Sequence, residues 1–417
     1  MKKFLALAFV LISVYASAQQ INKINVFLDC TQGCDFDYVR SEVKMVNFVR
    51  DRFDADVHVL LNSQRSSSGG QQSTMAFIGQ KRFQNTVDTL TYFTDPTSTE
   101  DEQRKKLVQY LSLGLVQYLA KGGRADKLKI TYADDASDSK IAPTKDPWNY
   151  WVFSFGANGS INGSQTYKSN SFYGNISADK ETENWKINLE FSGNRNVEKY
   201  IDDSGVESKF TRKQYYGNTQ VAKSIDSHWS YGLSASFTNS LFSNLRSSFS
   251  FKPKIEYSLF PYSTFNNQRI VAQYMVGNVY NNYYDTTIYL KTKESQIQQN
   301  LNLIASFTKP WGSINVGFFY ANYFDDFSKN NISFNGAVSW KIVKGLNFAL
   351  WGNYGLIHDQ IALRKGGISR DDLLVKTKEL RSSYQYNMGV GFSYRFGSVL
   401  NNIVNPRFRG LSYSINL

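Results

Sequence analysis

The strongest constraint on the fold is an alternation of apolar and polar residues that begins near residue 148 and continues to the C-terminus. One segment runs Trp-Lys-Ile-Asn-Leu-Glu-Phe-Ser over residues 185–192, and another runs Tyr-Gln-Tyr-Asn-Met-Gly-Val-Gly-Phe-Ser-Tyr-Arg-Phe over residues 384–396. Successive side chains of a β-strand point to opposite faces, so each segment has one apolar and one polar face. We count about twelve such segments, and this pattern is typical of an antiparallel barrel whose apolar side faces lipid. The sequence therefore predicts a transmembrane barrel over residues 148–417.

A soluble β-sandwich also alternates, so the alternative must be weighed. The mean hydropathy is only −0.41 although 15% of the residues are aromatic, as expected where lipid-facing and lumen-facing residues cancel. Indole side chains prefer the membrane–water interface, and six tryptophans are predicted at the periplasmic ends of strands. These residues form a predicted aromatic girdle: Trp148, Trp151, Trp185, Trp229, Trp311 and Trp340. A sandwich does not need such a row.

The connections between the predicted strands differ in length at the two ends. Long outer loops are predicted near residues 196–208, 279–293 and 358–380, and short periplasmic turns at residues 178–184, 309–312 and 344–345. This asymmetry is the one expected of outer-membrane barrels.

Charged residues on the polar face should point into the lumen. By parity the lumen-lining residues are Lys186, Glu190, Lys252, Lys254, Glu256, Lys341 and Arg395. Such charges form a packed polar plug in a small barrel and line a water path in a larger one. The predicted strand count lies between those of small and large barrels, so the alternation alone is compatible with both a plugged lumen and an open one.

The N-terminus has the pattern of a signal peptide over residues 1–18. Lys2 and Lys3 precede an apolar stretch, and Ala-Ser-Ala at residues 16–18 is a small-residue cleavage site. The net charge of +12 is spread among acidic residues without a Lys/Arg run, so we do not expect nucleic-acid binding. Nothing in the sequence fixes the oligomeric state.

A second unit is predicted over residues 19–132, joined to the barrel by a polar linker at residues 133–147. Its predicted elements follow the order β-α-β-β-β-α-β, which favours an α/β sandwich: one mixed sheet with two helices. The first helix is predicted over residues 35–52 from apolar residues at helical spacing, with Asp35 as N-cap. The second helix begins after Thr99, which forms a capping box with Glu102. The predicted strands are Ile24–Leu28, Val57–Leu61, Thr74–Gly79, Thr89–Phe93 and Leu128–Tyr132.

Two cysteines, Cys30 and Cys34, lie in this unit. In an oxidising periplasm they suit a disulfide, and two unpaired thiols are the alternative. A metal site would have to recruit nearby aspartates, whereas zinc prefers further Cys and His ligands. We therefore predict no metal, and no motif indicates a cofactor.

The sequence offers little for catalysis. Some barrels of this size are surface lipid hydrolases that use Ser and His, and His358 beside Asp359 is the one candidate pair. No matching serine can be singled out, so an enzyme is not predicted. The basic loop that follows, to Lys378, could bind phosphates, but Asp371 and Asp372 also suit a solvated loop.

Residues 148–417 resemble the outer-membrane β-barrel proteins of Gram-negative bacteria. The whole chain, with Cys-Asp-Phe-Asp-Tyr-Val-Arg at residues 34–40 and Asn-Pro-Arg-Phe at residues 405–408, resembles an envelope family that joins an N-terminal periplasmic α/β domain to a barrel. Many such barrels end on an aromatic residue, whereas this chain ends on Leu417. The resemblance implies an outer-membrane location and carries no catalytic motif.

Three functions follow from these features. The first is a barrel in outer-membrane lipid that anchors the periplasmic domain for interaction with another envelope component, such as a periplasmic protein. The second is a narrow channel for small polar solutes, favoured by the polar lumen face. The third is an outer-membrane lipid hydrolase.

Overall fold

The computed structural model describes residues 23–30, 34–65, 70–95, 97–131, 146–202, 204–265, 267–366, 378–398 and 407. The predicted signal peptide, linker residues 133–145 and the segment that ends at Leu417 lie outside the described residues.

The N-terminal unit, here called the small domain, is a five-stranded mixed sheet with two helices, as predicted. Its strands are β1 (Asn25–Cys30), β2 (Asn47–Phe48), β3 (Val57–Arg65), β4 (Gln71–Gly79) and β5 (Val87–Thr94), and its helices are α1 (Phe36–Glu42) and α2 (Glu100–Leu119). The strand order is β2-β1-β3-β4-β5. β1 runs parallel to β2 and β3, and the other pairs are antiparallel.

The first helix is much shorter than predicted. Asp35 caps it as expected by accepting a hydrogen bond from the Tyr38 amide at 3.0 Å, but α1 ends at Glu42. The chain then extends along the edge of β1, and the Val49 amide donates to the Val26 carbonyl at 2.9 Å. Val43, Val46 and Val49 are buried, so their spacing reflects burial along a turn and a short strand rather than a longer helix.

The second helix begins as predicted, but the strand predicted after it is not observed in residues 128–131. Thr99 and Glu102 form the capping box. α2 lies so close to the sheet at Gly114 that a Cβ there would overlap the ring of Phe77. The predicted strand Leu128–Tyr132 is not formed by residues 128–131, and Tyr132 lies outside the described residues. β2 supplies the fifth strand instead.

The second unit is a 12-stranded, all-antiparallel sheet, which confirms the predicted strand number and direction. The strands are β6 (Trp151–Gly163), β7 (Tyr167–Glu181), β8 (Trp185–Ile201), β9 (Glu207–Ser224), β10 (Trp229–Ser240), β11 (Leu245–Ser258), β12 (Gln268–Tyr283), β13 (Lys293–Lys309), β14 (Gly312–Tyr323), β15 (Asp326–Val343), β16 (Leu346–Ile357) and β17 (Tyr384–Tyr394). Each strand pairs with its sequence neighbours. Among the described residues β6 and β17 do not pair with each other, so the sheet is not closed.

The two ends of this sheet are distinct. We call the end at which β6 begins the proximal end and the opposite end the distal end. Proximal turns include residues 182–184, 310–311 and 344–345, close to the predicted short turns. Two distal loops are shorter than predicted, at residues 202–206 and 284–292, because the flanking strands continue beyond the expected length.

The two faces of the sheet differ in exposure in a way that a flat sheet would not show. Phe249 and Phe251 on the apolar face of β11 are 51% and 56% exposed, whereas Lys252 on the polar face is 8% exposed. The Lys252 ammonium on β11 donates to the Asn300 amide oxygen on β13 at 2.7 Å, across the intervening β12. The sheet is therefore curved, with an inner polar face and an outer apolar face.

No helix among the described residues is long and apolar enough to cross a membrane.

Candidate functional site at the contact between the domains

The small domain contacts the proximal end of the large sheet through one loop and the end of one strand. The loop is residues 50–54, between β2 and β3. It is ordered locally, since the Phe53 amide donates to the Asp51 carboxylate at 3.0 Å and the Asp54 amide donates to the Asp51 carbonyl at 3.2 Å. The loop is therefore a preformed element that presents Arg52 and two carboxylates to the sheet.

Arg52 and the two carboxylates bind the proximal turns. The Arg52 guanidinium donates to the Pro310 carbonyl at 2.6 Å and to the Lys341 carbonyl at 3.1 Å. Asp54 forms an ion pair with Lys344 at 2.5 Å, and Asp51 accepts a hydrogen bond from the Gly345 amide. A guanidinium can satisfy two carbonyls at once because its donors lie in a fixed fork. The loop thus joins the β13–β14 and β15–β16 turns.

Asp29 near the end of β1 forms the second part of the contact. Its carboxylate pairs with the Lys341 ammonium and lies 3.4 Å from Nε2 of His58, which is fully buried. Burial favours a higher pKa for Asp29, but the His58 hydrogen bond and the Lys341 charge outweigh it and lower the pKa. The Lys341 ammonium also lies 4.7 Å from the centre of the Phe27 ring. Asp29 is therefore held ionised between the two domains.

Lys341 is one of the residues that the sequence predicts on the lumen face, and the structure places it at the proximal mouth of that face. It lies in register with Asn347 on β16, which in turn lies opposite Ser393 on β17. A crevice of about 530 Å³ opens between the domains here, and Arg395, another predicted lumen residue, lines it. The small domain thus contacts the mouth of the inner face and not only its rim.

The other predicted lumen charges make separate polar contacts on the inner face. Lys254 donates to the Gln220 amide oxygen. Glu256 accepts hydrogen bonds from Gln273 at 2.6 Å and Tyr262 at 3.0 Å. Lys186 pairs with Glu181 at 3.4 Å, and Glu190 lies in register with Ser177 and Asn218.

Further inner-face charges were not singled out from the sequence. Glu198 and Arg212 pair at 2.5 Å, and Asp179 accepts a hydrogen bond from Asn188 at 2.5 Å. Glu198 has the same parity on β8 as Glu190, so extending the alternation by eight residues would have found it.

Cys30 and Cys34 are joined by a disulfide. The bond links the end of β1 to the residue before the Asp35 cap of α1. It therefore fixes the backbone directly next to Asp29, on the side that faces the large sheet.

The six tryptophans of the predicted girdle all lie at the proximal end. Trp151, Trp185 and Trp229 begin β6, β8 and β10, while Trp340 lies near the end of β15. Trp311 lies in the β13–β14 turn and Trp148 in the turn before β6.

At the distal end, the first part of the β16–β17 loop folds back over the sheet. Arg364 pairs with Asp285 at 2.7 Å and donates to the carbonyls of Leu241 and Phe242, so it joins three hairpins. Ile361 and Leu363 are buried beneath it. This segment covers the distal end of the inner face.

The candidate hydrolase pair is not arranged as a catalytic unit. His358 Nδ1 lies 3.1 Å from the Asn330 amide oxygen, and Asp359 accepts a hydrogen bond from Asn331 at 3.1 Å. Within the described ranges neither forms a hydrogen bond with a serine hydroxyl or with the other. No group of three His, Cys, Asp or Glu side chains suited to a metal occurs in that part of the chain either.

Comparison of the chain with models of known protein families and with curated proteins finds no match.

Proposed function

We propose that this protein is an outer-membrane β-barrel that anchors its small domain on the periplasmic side and presents it to another envelope component. The observation that carries the proposal is the contact of the small domain with the mouth of the inner face through Arg52, Asp54 and Asp29. These contacts fix the orientation of the domain relative to the sheet.

The exposed outer face supports a membrane location. Aromatic residues on strands inside the sheet show the pattern, with Phe172 59%, Phe251 56% and Phe334 52% exposed. Exposure of so large an apolar surface to water costs free energy, whereas contact with lipid does not. The strands have 11 to 18 residues, against the 9–11 or so that a tilted strand needs to span a bilayer.

The proximal end is assigned to the periplasm. The small domain follows the predicted signal peptide and lies at this end, together with the tryptophan row. Tryptophans favour the interface between lipid and water, so the row marks one edge of the bilayer. The β16–β17 loop, which is the longest connection in the sheet, would then face outward.

Part of the surface of the small domain remains accessible to a partner while the domain contacts the sheet. The contact uses β1 and loop 50–54, whereas the edge strand β5 and the outer side of α2 are elsewhere. Val87 and Phe93 on β5 are 64% and 63% exposed, and Leu113 on α2 is 54% exposed. An edge strand with exposed apolar residues is a common surface for binding an extended segment of another protein.

The test uses the full-length protein. We expect it to fractionate with the outer membrane and to migrate faster on a gel before boiling than after boiling. We also expect cross-linking from a photoreactive residue at Phe93 to capture a specific periplasmic protein, with the same probe at Lys291 as the control. A folded species that stays soluble without detergent would refute the membrane location. If the probe at Phe93 captured no protein, the proposal that the small domain is presented to a partner would be refuted.

A narrow channel is the second candidate, favoured by the hydrogen-bonded polar inner face around Lys252 and Glu256. Its two ends are covered in part by the small domain and by the Arg364 segment. Planar-bilayer recordings decide between the candidates, since steady conductance from the wild-type protein would favour the channel over anchoring alone.

A further inference from the structure

The distal parts of β7, β8 and β9 carry a cluster of basic residues on the outer face. It consists of Lys168, Arg195, Lys199, Lys209 and Lys213, which we call the basic patch. Lys199 lies directly opposite Lys168 on one neighbouring strand and Lys209 on the other, and Arg195 lies directly opposite Lys213. Side chains directly opposite each other have Cβ atoms about 5 Å apart, and like charges in such pairs destabilise a sheet.

The patch lies on the lipid-facing side. Arg195 is also in register with Phe172, which is 59% exposed, and alternate positions along β8 lead from Arg195 to Phe191. The opposite parity of the same strand carries the inner-face residues Asn196 and Glu198. The basic residues therefore directly continue the apolar outer face towards the distal end.

Acidic residues offset only part of this charge. Glu207 pairs with Lys199 at 2.7 Å and also interacts electrostatically with Lys168 and Lys209. Asp202 in the nearby loop is engaged by the Ser204 hydroxyl at 2.7 Å and the Val206 amide at 2.8 Å. In the described part of the chain, Lys199–Glu207 is the one ion pair that the basic patch forms.

We propose that the basic patch binds the phosphate groups of a lipid in the distal leaflet of the membrane, with the lipid chains lying against the apolar surface around Phe172 and Phe191. The inference rests on the proposed membrane location. A phosphate offers an anion that several ammonium and guanidinium groups can share. A lipid is favoured over a soluble anion because the patch joins the apolar surface without a break.

The experiment uses the purified full-length protein in neutral detergent micelles. Binding of dioleoyl phosphatidic acid is compared with binding of dioleoylglycerol, which lacks the phosphate, and with inorganic phosphate. The test variant is K168Q/K209Q, which leaves the Lys199–Glu207 pair intact. The matched control is K291Q/K293Q, which removes the same charge from exposed positions at the same end of the sheet.

We expect the wild type and the control to prefer phosphatidic acid over dioleoylglycerol, and the test variant to bind phosphatidic acid roughly thirtyfold more weakly. In lipid-free micelles the unfolding temperature of the test variant should stay close to that of the wild type, because the relieved repulsion from Lys199 offsets the lost attraction to Glu207. Equal lipid affinity in wild type and test variant would overturn the proposal. Inorganic phosphate that binds as tightly as the lipid would overturn the lipid assignment. If the protein folds only in micelles but binds phosphatidic acid and dioleoylglycerol equally, the barrel proposal is supported and the lipid-phosphate proposal is refuted.

Discussion

Asp29 has a chemical role that its position in the sequence does not reveal. It contacts one cationic group of the large sheet and one buried imidazole of its own domain, and its side chain is 18% exposed. Removing one member of a partly buried charged pair leaves the other without its partner, which costs more than the pair contributes.

Asp29→Asn should therefore weaken the contact between the domains. We expect a loss of about 2 kcal/mol in the stability of the docked arrangement, because the lost hydrogen bonds involve charged groups. Limited proteolysis of the small domain in the full-length protein measures this as faster cleavage. Asp126→Asn, at an exposed turn position, is the control, and equal protection of the two variants would contradict the role given to Asp29.

The same residue sets a pH dependence. The pKa of Asp29 is lower in the folded protein than its ordinary value of 3.8, so protonation opposes docking. The stabilisation from Asp29 is complete above the unfolded pKa and is lost as the pH falls through the lower, folded pKa. We expect its share of proteolytic protection to be constant from neutral pH to about pH 5 and to fall only below about pH 4. Asp29→Asn should lack this step, and an equal step in the variant would assign it to another group.

At the scale of elements, the close approach of α2 to the sheet depends on the missing side chain at Gly114. Gly114→Ala would force its methyl group into the Phe77 ring, which is fully buried. Overpacking of this kind costs about 1–3 kcal/mol, more than the gain in helix propensity. Thermal unfolding of the small domain measures this loss of stability as a lower midpoint. Leu113→Ala, next to it on the exposed side, should change the midpoint little, and an unchanged Gly114→Ala variant would show that the helix can move.

The distal segment is held by the Arg364 side chain and by backbone hydrogen bonds, such as the one from the Ile288 amide to the Leu363 carbonyl at 2.8 Å. Arg364→Gln removes the ion pair with Asp285 and the bonds to two hairpin carbonyls. We expect trypsin to cut the β16–β17 loop severalfold faster than in the wild type, since opening then exposes the backbone. Arg364→Gln also removes a trypsin site. The control is therefore Lys365→Gln, which removes the neighbouring trypsin site and leaves Arg364 in place. Equal rates in Arg364→Gln and wild type would mean that burial of Ile361 and Leu363, together with the backbone hydrogen bonds of the segment, suffices to hold it.

At the scale of the whole molecule, local patterns in the sequence predicted most of the architecture. The 12 antiparallel strands follow from alternation, and the start of α2 follows from Thr99 and Glu102. The extension of the first helix to residue 52 was wrong because the buried Val46 and Val49 continue the helical spacing beyond the end of the helix, where the Val49 amide bonds to β1 instead. The contact between the domains could not be predicted, since no local pattern joins Asp29 to a lysine 312 positions away. The opposed lysines of the basic patch required the strand register.

The long separation between Asp29 and Lys341 has a consequence for the order of assembly. During synthesis the small domain emerges first, while the surface it contacts is built from some of the last strands, β13 to β17. In contrast, every hairpin of the large sheet joins neighbouring segments and needs no distant partner. Docking therefore comes after the final hairpins, and a chain halted before β15 would carry a complete but unattached small domain. Attachment of the small domain thus depends on prior formation of the β13–β14 and β15–β16 hairpins.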